Sequence, residues 1–532
     1  MSSKNLQASS AGKPERMDPI LRNALRYTVS PKEYRLLHQY LLSRAPVTRK
    51  HTPPPKRYDA VSGTSDDYNA AAIRVSLRLA VLTFSSLKTW ELLTTKIVAR
   101  GPMQSKPTRS PARWKSANVR LSCSLSLILL FHRLLRRFFT RLRESLLTNE
   151  AKPFRRRNPR ISRSLTSGIA PAIGSSLAGF FLAVCPSNQL RITIAIYVFT
   201  RALEFSYNYL EDRGWFKDRP AWFGSWLLMP VACGQLLHTL VFDRDCFPAT
   251  YGRLLLNNSP AYIQKRPADY PTHLPWPNPF EIVDSLAEIS KMRWAPFISP
   301  IIFPSTETLP RALKLMGPIT SPAHPAISSL SCALFHPNDP SCARTYISYW
   351  IQAFPKIARF FTIMFAALSI TKYRSFLNAP AASLNRLAKS ILRMSIFLTG
   401  AVGTSWGSMC LFQNIFPRTF LPTQRWFLGG FLGGLWAFLE RKSGRGNFLY
   451  SARMSIDSLW KVGVKRGWWR GIKNGDVLLF TMSLALINAT YEVSPESVSS
   501  GVMRKGLGML RGEGWVDRAS VTEGEGKEEK GS

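Results

Sequence analysis

A chain of 532 residues and 60.0 kDa has room for roughly two to four soluble domains on length alone. Its 71 Lys and Arg against 32 Asp and Glu give a formal charge of +39, which implies an anionic partner. No finger, homeodomain or RNP pattern accompanies the charge, so the expected partners are the lipid bilayer and anionic lipids, with no nucleic acid. Seven cysteines, an odd number, without a secretory signal argue against an extracellular disulfide scaffold.

Residues 1–69 read as a soluble segment and linker. Ser30-Pro31-Lys32-Glu33 is a capping box with proline at the first helical position, and it predicts a short helix ending near Ala45-Pro46. Glu15 and Asp18 argue against a mitochondrial presequence, and the stretch from Thr52 to Asp67 reads as a Pro-rich linker. From Ala70 to Ile97, Arg74, Arg78, Ser85, Lys88 and Lys96 fall on one helical stripe opposite Leu, Val and Phe. Such a pattern predicts a helix lying in the membrane interface.

Leu121 to Leu135 is apolar apart from His132 and Arg133, and an Arg-rich loop follows at 136–163. The next helix pairs small residues four apart, Gly174 with Ala178 and Ser175 with Gly179, a spacing that lets helices approach closely in lipid. A fourth helix carries Arg201 and Glu204 in an apolar context, and a fifth runs from Ala221 to Phe242. Residues 243–345 form a Pro-rich linker whose apolar WAPFISPIIFP stretch, Trp294 to Pro304, is too broken to span. Its last part holds Cys332, His336 and Cys342, with His324 nearby. That spacing matches no zinc module, so a tight Pro-rich cap before the next helix is expected, with no metal and no cofactor.

The order then repeats. Tyr346 to Leu368 has a narrow polar side, Gln352, Lys356 and Arg359, like the first interfacial helix. Met394 to Pro417 holds no Asp, Glu, Lys or Arg for 24 residues, where about 20 suffice to cross the hydrocarbon core. Gly429 with Gly433 and Gly430 with Gly434 repeat the small-residue pairs. Arg453 and Asp457 repeat the charges, and Val477 to Val493 repeats the fifth helix. Gly174, Leu177 and Gly179 align with Gly429, Leu432 and Gly434; after a short adjustment, Glu204 and Arg213-Gly214-Trp215 align with Asp457 and Arg466-Gly467-Trp468. Repeats this long mark two homologous halves of a membrane protein rather than a solenoid.

The expected fold is therefore an all-α membrane protein of two homologous helical repeats, 70–242 and 346–493, each an amphipathic helix plus about four transmembrane helices. With four crossings apiece, the halves would run parallel, and the excess of Arg and Lys in the Arg-rich loop marks the cytoplasm-like side. Residues 494–532 would be a disordered polar tail. The charges Arg201, Glu204, Arg453 and Asp457 can lock helices together or line a polar path through the membrane, and locking is the leading expectation.

Enzymatic motifs are sparse. There is no P-loop and no HExxH. Gly403-Thr404-Ser405-Trp406-Gly407 fits a nucleophile elbow but lies inside the cleanest apolar span, with no histidine after Ser405. His238 and Asp243 have an acyltransferase-like spacing with nothing else of that signature.

The stretch LERKSGRGNFLYSARMSIDSLWKVGVKRGWWRGIKNGDVLLF, Leu439 to Phe480, and the Cys-rich motif from Cys332 to Cys342 resemble the transmembrane protein 135 family. The resemblance covers most of 325–495 and, through the repeat, about 70–255. It implies a non-enzymatic multi-pass protein of the peroxisomal or mitochondrial membrane, concerned with lipid homeostasis or organelle shape. A homo-oligomer or partners in organelle dynamics are expected on the same ground. The alternative is a transporter or translocase-like pore with its charged site between the repeats.

Overall fold

The computed structural model describes residues 26–44, 54–62, 67–98, 116–220, 222–304, 309–370 and 377–520. Among these, all regular elements are helices, apart from one antiparallel bridge between Pro296 and Ser329. The main helices, in chain order, are α1 (Tyr68–Val98), α2 (Ala117–Leu147), α3 (Ala170–Ser176), α4 (Gln189–Asp212) and α5 (Leu228–Phe242). In the linker lie α6 (Pro279–Lys291) and α7 (Leu330–Phe335). Then come α8 (Cys342–Ile370), α9 (Pro380–Ile415), α10 (Arg425–Gly434), α11 (Arg445–Lys465), α12 (Gly475–Val493) and α13 (Gly501–Arg511). Helix α3 runs on as a 3-10 turn, Leu177–Val184, and α10 does likewise through Leu435–Glu440.

Six helical segments are long and apolar enough to cross a membrane: Tyr68–Thr94, Ala117–Leu147, Ser225–Phe242, Cys342–Ile370, Pro380–Ile415 and Gly475–Val493. A seventh is present if Pro159–Thr166 and Ala170–Val184, bent by 87°, count as one. Helices α4 and α11, which are more polar, and the shorter α10 fall outside this set.

The chain divides into two compact units, Met1–Lys217 with Ile472–Ser532, and Asp218–Gly471. These cut across the sequence blocks 70–242 and 346–493. The fifth segment of each block, α5 or α12, belongs to the unit that holds the other block's first four helices.

In the first unit, α1 lies antiparallel to α2, with Ser126 Oγ donating to Ser76 O at 2.7 Å and Asn118 to Glu91 at 3.0 Å. Helix α3 runs antiparallel to α2, through Ser124 to the Phe181 carbonyl at 3.0 Å and Ser175 to His132 at 3.1 Å. Helix α12 is antiparallel to α3 and parallel to α4. Arg191 and Asp476 pair at 2.5 Å where α4 and α12 start, and Asn208 Nδ2 donates to Ser497 O at 2.8 Å where they finish.

The second unit has the same pairings. Tyr346 and Tyr349 of α8 lie against Gly407 and Gly403 of α9, in that reversed order. Along α9 and α10, Ser408 meets Gly429, Ser405 meets Gly433, and Gly400 meets Trp436, again antiparallel. Helix α5 is antiparallel to α10, with Cys233 at Gly430 and Pro230 at Gly434. It is parallel to α11, with Gln235 accepting from Ser455 at 2.9 Å and Asp243 pairing with Lys465 at 3.2 Å.

Local geometry repeats too. Helices α4 and α11 stop at Arg213 and Arg466, followed by Gly214 (φ 80°) and Gly467 (φ 71°). In each, the next tryptophan N–H reaches back, Trp215 to Leu210 O at 3.1 Å and Trp468 to Gly463 O at 2.8 Å. This is the Schellman closure that a left-handed glycine permits.

Several expectations need correction. The Arg-rich segment 136–163 is not a loop: α2 runs on to Leu147, and short helices cover Lys152–Arg157 and Pro159–Thr166. The Pro-rich stretch 52–67 holds a helix, Pro55–Ser62. The first two cations of the polar stripe of α1 are taken up inside the protein. Arg74 is buried, donating to the Arg26 carbonyl at 2.7 Å and pairing with Asp67, while Arg78 pairs with Glu33 at 2.6 Å. Those cations are used to dock the helix Pro31–Tyr40, whose Ser30–Glu33 capping box forms as the sequence predicts. Nor does α8 lie across the ends of its neighbours; it runs along the clean span α9. Finally, the segment from Ser494 is not all disordered tail. Ser500 caps α13, Gly512 (φ 91°) ends it, and Leu507, Gly508 and Arg511 are buried in the first unit. Residues 521–532 of that tail, and 1–25 of the N-terminal segment, lie outside the described residues.

Candidate metal centre

The Pro-rich linker folds against one end of the second unit's helices. Asn278 and Glu281 form a capping box at the start of α6, with Pro279 at its first position, and Ile282, Val283, Leu286 and Ile289 fill one face. These join Trp294, Trp406 and Trp426 in one apolar core. Trp294 Nε1 donates to Pro422 O at 2.9 Å, and Trp426 Nε1 to Ser290 Oγ at 2.7 Å. The linker therefore shares an end of the unit with the turn 416–424.

At that end, Cys332 of α7, His336 just after it, Cys342 at the first position of α8 and Cys410 of α9 turn toward one point. Their ligand atoms all lie within 4.8 Å of one another, and three of the four residues are buried. Cys332 Sγ is 3.9 Å from both Cys342 Sγ and Cys410 Sγ, and Cys410 Sγ is 3.6 Å from His336 Nε2. All seven cysteines are free thiols. His336 Nδ1–H donates to the Asp339 carbonyl at 2.6 Å, which leaves Nε2 as the lone-pair nitrogen facing the sulfurs. Sequence reasoning found Cys332, His336 and Cys342 but missed Cys410, which stands alone in an apolar span with no spacing to flag it.

The small residues sit at helix contacts. Gly430 and Gly434 lie on the backbone of Cys233 and Pro230 in α5, so no side chain fits there. A Cβ on Gly179 would come within 2.9 Å of Thr481 Cα; Gly174 packs under Phe139, and Gly429 and Gly433 pack on Met409 and Ser405. Ala178 is fully buried beside them. The charged residues are placed less uniformly. Arg201 pairs with Glu204 at 2.5 Å, and Glu204 also accepts from Ser499 at 3.3 Å. Asp457 takes Lys461 as partner at 2.7 Å, while Arg453 Nε donates to Leu449 O at 3.1 Å and stacks over Tyr450.

A second buried polar cluster was not anticipated. His132 Nδ1–H donates to Leu510 O at 3.2 Å, and its Nε2 accepts from Asn488 at 3.0 Å and Ser175 at 3.1 Å. Arg133 Nε donates to Met509 O at 3.2 Å. The two polar residues that interrupt α2 are thus closed by α12 and α13. Ser405 donates to Ala401 O at 2.7 Å inside α9, which is a helix interior rather than a strand-to-helix turn. Asp243 is held by Arg466 at 2.6 Å, and the His238 ring packs tilted against Phe242. No known family profile matches the chain, and no solved structure matches it.

Proposed function

We propose that the chain is a non-enzymatic, multi-pass protein of an organelle membrane, peroxisomal or mitochondrial, acting in lipid homeostasis or organelle shape. The observation that carries the membrane part is the outer surface of α1 and α8. Val81, Trp90, Ile351 and Ile363 are 67%, 68%, 70% and 62% exposed, on helices whose most apolar windows are only 22% and 17% buried. Water-soluble proteins rarely present such continuous apolar faces, whereas lipid tails cover them at no cost. The organelle and the lipid role rest on the resemblance of Leu439–Phe480 and of the Cys-rich motif. The matched helix order and pairings of the two units support descent from one duplicated bundle that exchanged its fifth helices.

Chain parity within the second unit supports a crossing by α8. Going from α5 through α8, α9 and α10 to α11 reverses the chain direction four times, which restores the starting direction, as the parallel pair α5 and α11 requires. If α8 lay across the bundle end, three reversals would make that pair antiparallel. Anionic lipid remains the expected partner of the basic loops. The charged residues have partners within their own units, which supports locking over a transport path.

Alkaline carbonate extraction of organelle membranes, combined with co-localisation against peroxisomal and mitochondrial markers, tests this. Retention in the pellet with one of the two markers is expected. Release into the supernatant would overturn the membrane reading, and exclusive residence elsewhere would overturn the organelle.

A further inference from the structure

We propose that Cys332, His336, Cys342 and Cys410 bind one zinc ion, which clips the Pro-rich linker to the ends of α8 and α9. A tetrahedral zinc with Zn–S of about 2.3 Å and Zn–N of about 2.0–2.1 Å sets its sulfurs about 3.8 Å apart and its nitrogen about 3.6 Å from a sulfur. The observed separations are 3.9 Å for two sulfur pairs and 3.6 Å for His336 Nε2 to Cys410. They are too long for a disulfide, in which the sulfurs stand about 2.05 Å apart. They are also too close-set for a polynuclear iron–sulfur core, whose ligands must spread over more than one metal. Three thiolates and one imidazole in a tetrahedron select zinc over harder cations.

The surroundings fit an ion as well. Histidine ligands donate their second ring nitrogen to a carbonyl or carboxylate, which fixes the tautomer, and the His336–Asp339 bond does this. Cys342 opens α8, where the helix N-terminus stabilises a thiolate. Tyr262, 1% exposed, buries a hydroxyl that has no hydrogen-bond partner among the described residues and lies against Gly407, one turn before Cys410. It is placed to donate to a metal-bound sulfur, whose negative charge three thiolates around a dication leave in excess. All four ligands come from protein, so the ion has no open position and acts structurally. It joins residues far apart in sequence, tying a folded linker to a helix within the bundle.

The test uses the full chain purified in detergent under reducing conditions, with metal content measured by mass spectrometry. About one zinc per chain is expected, falling to about none in the double variant Cys332→Ser/Cys410→Ser and unchanged in Cys123→Ser/Cys233→Ser. Since the first double variant can fail to fold, the wild-type protein is also stripped with chelator and reloaded with cobalt. Reloading should give the ligand-field and thiolate charge-transfer absorption of a tetrahedral sulfur-rich site, abolished by one equivalent of zinc. The proposal is overturned by a zinc-free protein that takes up neither metal. It is equally overturned by zinc retained in Cys332→Ser/Cys410→Ser, by a Cys332–Cys342 disulfide in peptide mapping, or by iron with labile sulfide. None of these outcomes depends on the organelle or on any lipid role.

Discussion

The two units pair their helices in the same order and close the bundle by different means. In the first, the polar residues of α2 are satisfied by hydrogen bonds from α12 and α13: His132 to Asn488, Ser175 and the Leu510 carbonyl, and Arg133 to the Met509 carbonyl. In the second, the charge-free stretch of α9 from Met394 has no such interruption; its end is joined to the linker by a thiol and imidazole cluster and by three buried tryptophans. The contrast teaches that the frame is set by small-residue helix contacts, while the ends are finished by whatever segment follows. A polar network holds a neighbouring helix in register through many directed bonds. A four-ligand cluster can hold a Pro-rich segment that has little regular structure of its own.

The sharpest way to break the comparison is to attack the shared frame. Gly434→Leu inserts a side chain into the Pro230 backbone, and Gly179→Leu does the same against Thr481 in the first unit. Each should cost about 3 kcal/mol or more, because backbone cannot repack as a side chain can. Thermal unfolding of the purified protein should show both, while Gly446→Leu, with nothing within 4 Å of its added Cβ, leaves the transition in place. Equal melting of all three would mean that the glycines do not set the frame. The next effect is confined to the first unit. Asn488→Leu removes the donors to His132 and Ser176 and should cost about 1–3 kcal/mol, with faster hydrogen exchange in α13 but not in the linker. Exchange that quickens in both would show that the closures are not separate.

The smallest effect is at the edge. The Arg78 guanidinium holds the Glu33 carboxyl down at about 2, although burial opposes it. A depressed carboxylate pKa contributes stability above its unfolded value of about 4.3 that is lost as pH falls toward 2. Docking of the helix Pro31–Tyr40, followed by limited proteolysis, should therefore hold at pH 5 and weaken only in stronger acid. Glu33→Gln should remove that dependence.

Much of the frame was legible. Four features were local signals: the charge-free run at Met394–Pro417, the glycine pairs, the Arg-Gly-Trp helix ends and the Ser30 capping box. What escaped depends on distant contacts. Helix α8 has a polar side, and only its antiparallel seat on α9 shows that Tyr346 and Tyr349 face glycines. The Gly-rich and basic sequence of α13 reads as tail, yet burying Leu507 and Arg511 against α2 and α12 makes it a helix end. Cys410 has no local partner, and α5 and α12 look like the fifth helices of their own blocks until their contacts are seen.

Protease-protection mapping of sealed organelle vesicles tests the central claim most directly. Specific cleavage sites are inserted singly into the linker at 268–274, the turn at 416–424 and the turn at 441–444. A membrane-crossing α8 places the linker and 416–424 on one face, so those two sites should share one fate and 441–444 the opposite one. Linker and 441–444 cut together, with 416–424 protected or cut apart from them, would put α8 in the interface, and cleavage of all three in sealed vesicles would contradict the membrane bundle itself.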